Sequence, residues 1–456
     1  MPLYIKLYDD FIGPAYREPM EKYMHMCVAM LEEKGIQVVM ADQICRIAPE
    51  FDAAADKFNA EDVDAVITLH LAYSPSLESI HALLRIKAPI VVFDSTPHYE
   101  LLKVQATEER IGPNHGIHGV QDMCNLLKRN GRDYYICAGH ALHSNVIDEL
   151  IGMCRAAAVK KAYQTMKIGS VGGSFNGMGD FLISDERYKE DIGAEVFYMT
   201  PDVVQEYLAK VTDAEIEAEM ALEREKYDVE VTYCDDHRLA TKSGLAIRKW
   251  MQEKGLGAVT VNFLTLDSCG LPKMPFPECC KVLERGQGYA GEGDVLTSGL
   301  VGALFAAYPN TTFTEMFCPD WEQDVILMSH MGESNPNLAQ WKPRIRNCNF
   351  KYNSCGNTVG MYTCARKGSA TIVNLAPMEN GYNLILCPGQ MLDAGLENGA
   401  YQNATQGWFK PRKPLPQFLK EYSLAGGTHH SAMVYDADIR ELEAFGSMMG
   451  FQVITL

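Results

Sequence analysis

The sequence has little of what proteins that bind nucleic acids or membranes need. Its 456 residues carry 41 lysines and arginines against 59 acids, which gives a formal net charge of -18. Because nucleic acids and anionic lipid surfaces attract basic proteins, this charge argues against both as main partners. The amino-terminal residues lack the basic and apolar regions of a secretory signal, and no apolar run approaches the roughly 20 residues of a transmembrane helix. We therefore expect a cytoplasmic protein.

Regular cysteine spacing is absent as well. The 14 cysteines are scattered singly apart from the adjacent Cys279 and Cys280, and no CxxC pair occurs. Zinc ribbons and disulfide frameworks depend on such spacing. The sequence therefore predicts reduced thiols, with neither a structural zinc site nor disulfides.

Residues 1–165 alternate strand and helix patterns. The strand-like runs are LYIKLY, IQVVMAD, VDAVITLHL, PIVVFDS and DYYICAGH, and segments of helical periodicity separate most of them. This alternation predicts a parallel sheet covered by helices, and ligands of such sheets bind beyond the carboxyl ends of the strands. We interpret this part as an N-terminal Rossmann-like α/β domain.

Residues 166–325 repeat the alternation and predict a central α/β domain, with strand-like runs MKIGSVGG, AEVFYMT, VEVTYCDD and GAVTVNFLTL. The loop GSVGGSFNGMGD lacks the Lys-Ser/Thr of a phosphate-binding loop and the glycine spacing of a dinucleotide site. It is better interpreted as a glycine-rich loop near a substrate. A dehydrogenase is accordingly disfavoured.

Residues 326–456 predict a smaller β-rich domain, because short β runs are separated by proline, glycine and asparagine. The predicted fold class is therefore α/β: two doubly wound parallel-sheet domains followed by this C-terminal domain, which carries metal-site residues. One helix is indicated near its end, between Asp438 and Gly450.

Two acids and a pair of histidines carry the chemistry. Glu315 and Glu333 lie at the ends of apolar segments, where a buried carboxylate is costly unless a metal, a proton or a partner compensates it. The segment AGGTHHS supplies His429 and His430. Carboxylates with an imidazole suit a divalent cation such as Mn²⁺ or Mg²⁺. Taken singly, each residue also has an ordinary structural role, as an ion-pair member, a cap or a turn residue.

Several segments resemble the L-arabinose isomerase and L-fucose isomerase family. They are GQGYAGEGDVLTSGLVGAL, TFTEMF, DVILMSHMGE and AGGTHHSAM, in matching order and approximate spacing, with LHLAYSPS, PNHGIHGVQDM and KIGSVGGSFNGMGDF upstream. The resemblance implies a three-domain aldose-ketose isomerase that uses Mn²⁺, or another divalent cation such as Mg²⁺ or Co²⁺. It further implies a trimer or hexamer with the active site at a subunit interface.

The resemblance also implies roles for individual residues. Glu315 and Glu333 correspond to the two glutamates that bind the metal and act as acid and base, and His430 corresponds to a histidine ligand. His118 corresponds to a histidine that reaches into a neighbouring subunit's site. The candidate substrate-binding residues are Tyr73, His115, His118, Met178, Asn349 and His429.

Two departures from the family pattern leave the substrate open. No histidine lies between His330 and His429, where arabinose isomerases have a further ligand; Asn349 or a nearby residue such as Asn353 occupies that region. In addition, His115 replaces a glutamine. The alternative is an isomerase of a C6-modified hexose, such as 6-deoxy-6-sulfo-glucose (sulfoquinovose), whose anion calls for an arginine. The candidates for that arginine are Arg17, Arg344, Arg346 and Arg366.

Two other function classes remain open at the level of sequence. A metal-assisted epimerase or aldolase would use the same charge stabilisation. A non-catalytic sugar-binding protein would use the same α/β cleft, although a neutral sugar does not require a metal site.

Overall fold

The computed structural model describes residues 1–103, 107–393 and 405–456. It divides into two compact units, Met1–Ala158 and Val159–Leu456. The three-domain division with boundaries after residues 165 and 325 stays a prediction. In the described part of the chain, every helix is too short or too polar to cross a bilayer.

The first unit is built on a parallel sheet. Its elements are β1 (Pro2–Leu3), α1 (Lys6–Phe11), α2 (Glu18–Glu33), α3 (Ala48–Ala60), β2 (Val66–His70), α4 (Ser76–Arg85), β3 (Ile90–Asp94), α5 (Glu108–Ile111), α6 (Ile117–Arg129), β4 (Tyr134–Ala138) and α7 (Val146–Gln164), whose last residues belong to the second unit. The strands pair in parallel in the order β1-β2-β3-β4. The expected strand IQVVMAD does not form; instead a single parallel bridge from Leu3 to Cys45 extends the sheet beyond β1.

Helices cover both faces of this sheet. In β3, Ile90 and Val92 pack into one apolar cluster, whereas Val91 and Phe93 pack into another. Because successive residues of a strand point to opposite faces, strand β3 is buried on both sides, as parallel sheets normally are.

The second unit contains the remaining elements. They are β5 (Lys167–Val171), α8 (Asp185–Asp191), β6 (Glu195–Met199), α9 (Pro201–Ala209), α10 (Asp213–Lys226), β7 (Asp228–Glu230), α11 (Cys234–Lys254), β8 (Ala258–Val261), α12 (Leu266–Cys269), α13 (Phe276–Glu284), β9 (Gly288–Gly291), α14 (Val295–Leu304), β10 (Thr311–Asp320), β11 (Val325–His330), β12 (Arg344–Cys348), β13 (Thr358–Tyr362), β14 (Gly368–Pro377), β15 (Tyr382–Met391), β16 (Thr405–Pro411), α15 (Leu415–Leu424), β17 (His430–Tyr435), α16 (Ile439–Met449) and β18 (Gln452–Thr455).

Its first sheet is parallel, in the order β6-β5-β8-β9, and a small sheet pairs β7, β12 and β13. In an open parallel sheet of this kind, ligands bind beyond the carboxyl ends of the strands. Here those ends lead into the glycine loop after β5 and into Glu292 after β9.

Six further strands of the second unit form a closed barrel. Six antiparallel strands follow one another as β14-β17-β10-β11-β16-β15, and β15 pairs again with β14, while β18 lies parallel to β15 outside the ring. Closure leaves no exposed strand edge within the ring. The fold class predicted from sequence, two parallel-sheet α/β regions followed by a β-rich C-terminal region, is confirmed.

Candidate metal centre

Three side chains converge where the parallel sheet of the second unit meets the barrel. One ligand atom each from Glu292, His330 and His430 lies within 4.8 Å of the other two. In the parts of the chain that the structure describes, no other set of three acidic, histidine or cysteine side chains is arranged in this way. Both imidazoles are buried, and 12% of the Glu292 side chain is exposed.

The backbone holds Glu292 in an unusual conformation. This residue follows β9 with φ of 64°, and Gly293 after it has φ of 80°. A side chain at Gly293 would come within 2.2 Å of the Gly173 carbonyl oxygen, so only glycine fits. Backbone hydrogen bonds close the turn from both sides. The Glu292 N–H donates to Val261 O at 3.0 Å, and the Glu292 carbonyl oxygen accepts from the Phe175 N–H at 3.0 Å. Left-handed backbone at a non-glycine residue costs free energy and tends to occur at functional sites.

Aromatic rings fix the two imidazoles. His330 ends β11 and His430 begins β17, and their ring centroids lie 5.4 Å apart. Phe313 packs edge-on against both, at 4.9 and 5.0 Å, and Phe181 stacks on His430 at 5.2 Å. Gly291 leaves room for the His330 ring, since a Cβ there would lie 2.7 Å from Cε1.

Each imidazole has a carboxylate on its Nδ1 side. His430 Nδ1 lies 3.1 Å from Asp294 Oδ2, and His330 Nδ1 is hydrogen-bonded to Glu333. If each Nδ1–H donates to its carboxylate, each Nε2 keeps a lone pair. His430 Nε2 is buried without a hydrogen-bond partner, 3.5 Å from Glu292 Oε2.

Metal-binding histidines usually have this arrangement, with the second ring nitrogen donating to a carboxylate. The buried, unpartnered His430 Nε2 is the kind of atom that a cation satisfies. Two imidazoles and a carboxylate suit first-row divalent ions. Glu292, His330 and His430 therefore fit a divalent cation.

The charges at the centre also favour a cation. Burial alone would raise the pKa of Glu292, but the neighbouring imidazoles of His429 and His430 lower it to about 2, so the carboxylate is ionised. For His430 burial opposes protonation, yet the neighbouring carboxylates of Asp294 and Glu292 raise its pKa overall, so a cation at this imidazole competes with a proton. Among the described residues, the ion pairs of Glu292, Asp294 and Glu333 involve histidines only.

The three predicted metal ligands occupy different places. His430 belongs to the converging group. Glu333 is 2% exposed and contacts the group through His330, while its Oε1 accepts a hydrogen bond from Tyr289 at 2.8 Å. Glu315 lies directly opposite His430 in the β10–β17 register and is half-buried. The metal-binding and catalytic roles of Glu315 and Glu333 stay predictions.

Of the substrate-binding candidates in the second unit, His429 lies beside the centre. Its backbone N–H and Nδ1 both contact Asp180 Oδ2, at 2.9 and 2.7 Å. Burial alone would lower the pKa of His429, but Asp180 and Glu292, with a contribution from Glu315, raise it to about 10. Met178 belongs to the same glycine loop as Asp180, whereas Asn349 is exposed after β12.

The other three candidates, Tyr73, His115 and His118, form an aromatic cluster in the first unit. The rings of Tyr73 and His118 are stacked at 4.7 Å, and His115 lies 5.2 Å from His118. Tyr8 Oη is 2.7 Å from His115 Nε2. The substrate-binding role of these residues stays a prediction.

Four residues of the site lie in segments that resemble the family but were not predicted as site residues: Asp180, Glu292, Asp294 and His330. Glu292 stands between two glycines, a local indication of unusual backbone. His330 lies three residues before Glu333, and Asp294 directly precedes an apolar helix, where aspartate is a favoured N-cap. Each signal is local, and none indicates that the side chains meet.

Comparisons with known proteins agree with this architecture. Residues 187–307 match the family model of the L-arabinose isomerase central domain, and residues 310–452 match that of the L-arabinose isomerase C-terminal domain.

Individual relatives are similar over most of the chain. The L-arabinose isomerase of Aeromonas salmonicida is 23% identical over 95% of this chain and 89% of its own length. The L-arabinose isomerase of Bacillus subtilis is 22% identical over 87% of this chain and 82% of its own length. That of Levilactobacillus brevis is 28% identical over 56% of this chain and 55% of its own length.

Proposed function

The chain belongs to the L-arabinose isomerase family, whose members are intramolecular aldose-ketose isomerases, and on that premise we propose that it interconverts an aldose and its ketose at the centre formed by Glu292, His330 and His430. The observation that carries the proposal is the buried and unpartnered His430 Nε2 beside the ionised Glu292. Binding of a neutral sugar alone does not require a metal site.

We propose Mn²⁺ as the cofactor, with Mg²⁺ and Co²⁺ as alternatives, because imidazole ligands favour transition metals over hard cations. When bound, the cation supplies positive charge that stabilises the negative charge developing on the sugar oxygens at C1 and C2. Glu292, His330 and His430 would hold it, with Asp294 and Glu333 hydrogen-bonded to the Nδ1 atoms of the two imidazoles.

Proton transfer between C1 and C2 is assigned to Glu315 and Glu333. Glu315 lies directly opposite His430 in the β10–β17 register, so the two side chains emerge on the same face of the sheet. Glu333 is held by Tyr289 and His330, which fixes its position. We therefore propose that Glu315 and Glu333 share the acid and base roles in this transfer, since a general acid or base must reach the proton that it moves.

The test uses Glu315→Gln and Glu333→Gln. Each should abolish isomerisation while the folded protein and its oligomer persist, and the solvent deuterium incorporated at C1 or C2 should disappear with the activity. Glu322→Gln, on the exposed turn after β10, is the matched control and should keep wild-type activity. A Glu315 or Glu333 variant that keeps most of its activity would remove that residue from the mechanism.

A neutral aldose is the first substrate class to test. Three of the arginines considered for an anionic substituent, Arg344, Arg346 and Arg366, lie within 4.0 Å of carboxylates of their own unit. Arg17 pairs in the same way with Asp9 and Glu21 in the first unit. A panel of pentoses, 6-deoxyhexoses and C6-sulfonated hexoses, scored for ketose of unchanged mass, identifies the substrate and separates an isomerase from an aldolase.

We further propose a cytoplasmic trimer or hexamer. All 14 cysteines are free, which suits a reducing compartment. The first unit exposes large apolar side chains that a second copy would cover, with Phe11 81% and Ile12 58% exposed. Light scattering on wild type and on Phe11→Glu should show an oligomer that the charge weakens. Leu222→Glu, at an exposed leucine of the second unit, is the control and should leave the oligomer intact. A monomeric wild type would contradict the proposal.

A further inference from the structure

We propose that Asp294 is a positioning residue of the metal centre, in which one carboxylate caps helix α14 with one oxygen and fixes the His430 ring with the other. The inference rests on the proposed metal centre and is independent of which sugar reacts. It concerns a residue that contacts a candidate ligand and is not itself in the converging group.

Helix α14 needs a cap from within the protein. Nine of its ten residues are buried, so water is largely excluded from its first turn. Asp294 supplies the cap, because its Oδ1 accepts the Thr297 N–H at 2.8 Å. The side chain of Asp294 is itself 0% exposed. A negative charge at this helix end is also favoured by the helix dipole.

The second oxygen of the same carboxylate contacts the His430 imidazole. Asp294 Oδ2 lies 3.1 Å from His430 Nδ1. Because the Thr297 N–H fixes Oδ1, the planar carboxylate has little freedom to rotate, and Oδ2 is held in place as well. A fixed acceptor at Nδ1 keeps the proton on that nitrogen, so the lone pair stays on Nε2, which faces Glu292.

The short turn therefore performs two tasks. Glu292 supplies a ligand atom, and Asp294 two residues later orients another ligand that arrives from the barrel. No lysine or arginine of the described residues ion-pairs with Asp294. A buried carboxylate that served only as a cap would be expensive, since Ser or Asn caps a helix without a buried charge.

The experiment separates capping from orientation. Asp294→Asn keeps an oxygen for the Thr297 N–H, but its NH₂ group cannot accept a hydrogen bond from Nδ1–H. Calorimetric titration of Mn²⁺ into chelator-stripped full-length protein should show an affinity about 10- to 100-fold weaker than wild type, as for other partners of metal-bound histidines. The thermal midpoint of the metal-free variant should stay close to that of metal-free wild type.

The matched control is Asp438→Asn. Asp438 caps α16 in the same unit by accepting the Arg440 N–H at 2.9 Å. Asparagine at this position still caps the helix, and α16 supplies no candidate ligand. The Mn²⁺ affinity should therefore remain that of wild type. Asp294→Ser is the second variant in case Asp294→Asn does not fold, since serine also caps a helix but is too short to reach His430.

A double-mutant cycle tests whether the effect passes through His430. In a His430→Gln background, Asp294→Asn should change the residual Mn²⁺ affinity by less than about twofold, because neighbouring groups that act through one contact are not additive. An equal loss of Mn²⁺ affinity in both backgrounds, or an unchanged affinity of Asp294→Asn, overturns the positioning role of Asp294 but leaves the proposed metal centre intact. A wild-type protein that binds no Mn²⁺, Mg²⁺ or Co²⁺ overturns the proposed metal centre, and this inference with it.

Discussion

Two clusters of buried acids in the second unit are compensated in different ways. In the first, Glu219 accepts hydrogen bonds from Arg248 at 2.7 and 2.8 Å and from Lys281 at 2.6 Å. Glu278 accepts from Arg248 and from Arg285, at 2.9 and 2.6 Å for its Oε1. Each buried carboxylate of this network faces a permanently charged cation.

In the second cluster, the metal centre, the acids face imidazoles instead. Asp294 and Glu333 contact His430 and His330 through Nδ1, and Glu292 lies near the opposite nitrogen of His430. An imidazole differs from a guanidinium because it can keep a lone pair while it donates a hydrogen bond.

The residue types that face the buried acids distinguish a structural cluster from one that can bind a ligand. Acids matched by arginine and lysine have no remaining capacity for a ligand, so the Glu219 network is a structural feature. Acids matched by histidines leave the Nε2 lone pairs available, so the second cluster can take up a cation. Both clusters are buried, so burial does not distinguish them. The residue type that faces each carboxylate does.

The largest expected effect comes from His430→Gln. This change removes a candidate ligand atom, so the Mn²⁺ affinity should fall by more than the about 10- to 100-fold that loss of an outer partner costs. Isothermal titration measures it. His237→Gln is the matched control, because His237 is also buried against a glutamate, Glu223 at 2.7 Å, but belongs to the structural network. Equal losses in the two variants would erase the proposed distinction.

Arg248→Met should produce the next largest effect, on stability. Removing one partner of a buried ion pair costs about 3–5 kcal/mol, because Glu219 and Glu278 lose a compensating charge. Urea unfolding measures the change, and the Mn²⁺ affinity of the folded variant should remain that of wild type. Arg238→Met, at an exposed pair, should cost at most about 1 kcal/mol. The comparison fails if the two substitutions cost the same.

Acid should weaken the structural network. Burial alone would raise the pKa of Glu219, but Arg248 and Lys281 lower it from 4.5 to about 2. A depressed pKa contributes stability that is complete above pH 4.5 and is lost as the pH falls towards 2. The free energy of unfolding should therefore decline below pH 4.5, and Glu219→Gln should show a shallower decline. Parallel slopes for the two proteins would contradict this assignment.

Tyr289→Phe should have the smallest effect of the four. The change removes the buried donor to Glu333 Oε1, which costs about 1–3 kcal/mol for an unsatisfied group. The isomerisation rate should fall while the Mn²⁺ affinity changes little, because His330 still contacts Glu333. Steady-state kinetics beside titration separate the two quantities. A loss of metal affinity as large as that of His430→Gln would show that Glu333 itself binds the cation.

Much of the fold was readable from the sequence. The alternation of strands and helices predicted the parallel sheets, and the short β runs predicted the barrel region. The helix predicted between Asp438 and Gly450 forms as Ile439–Met449. The strand expected at IQVVMAD does not form, and the bridge beside β1 lies three residues later, at Cys45, since an apolar run does not by itself provide a hydrogen-bonding neighbour.

The sequence by itself determined the fold class, the family and one residue of the converging group, His430, because periodicity and motif order are local properties of the chain. The tertiary structure decided that Glu292 and His330 join His430. The left-handed backbone at Glu292 and the pairing of β10 with β17 set the directions of these side chains. Such directions depend on contacts between residues far apart in the chain, which no local pattern specifies.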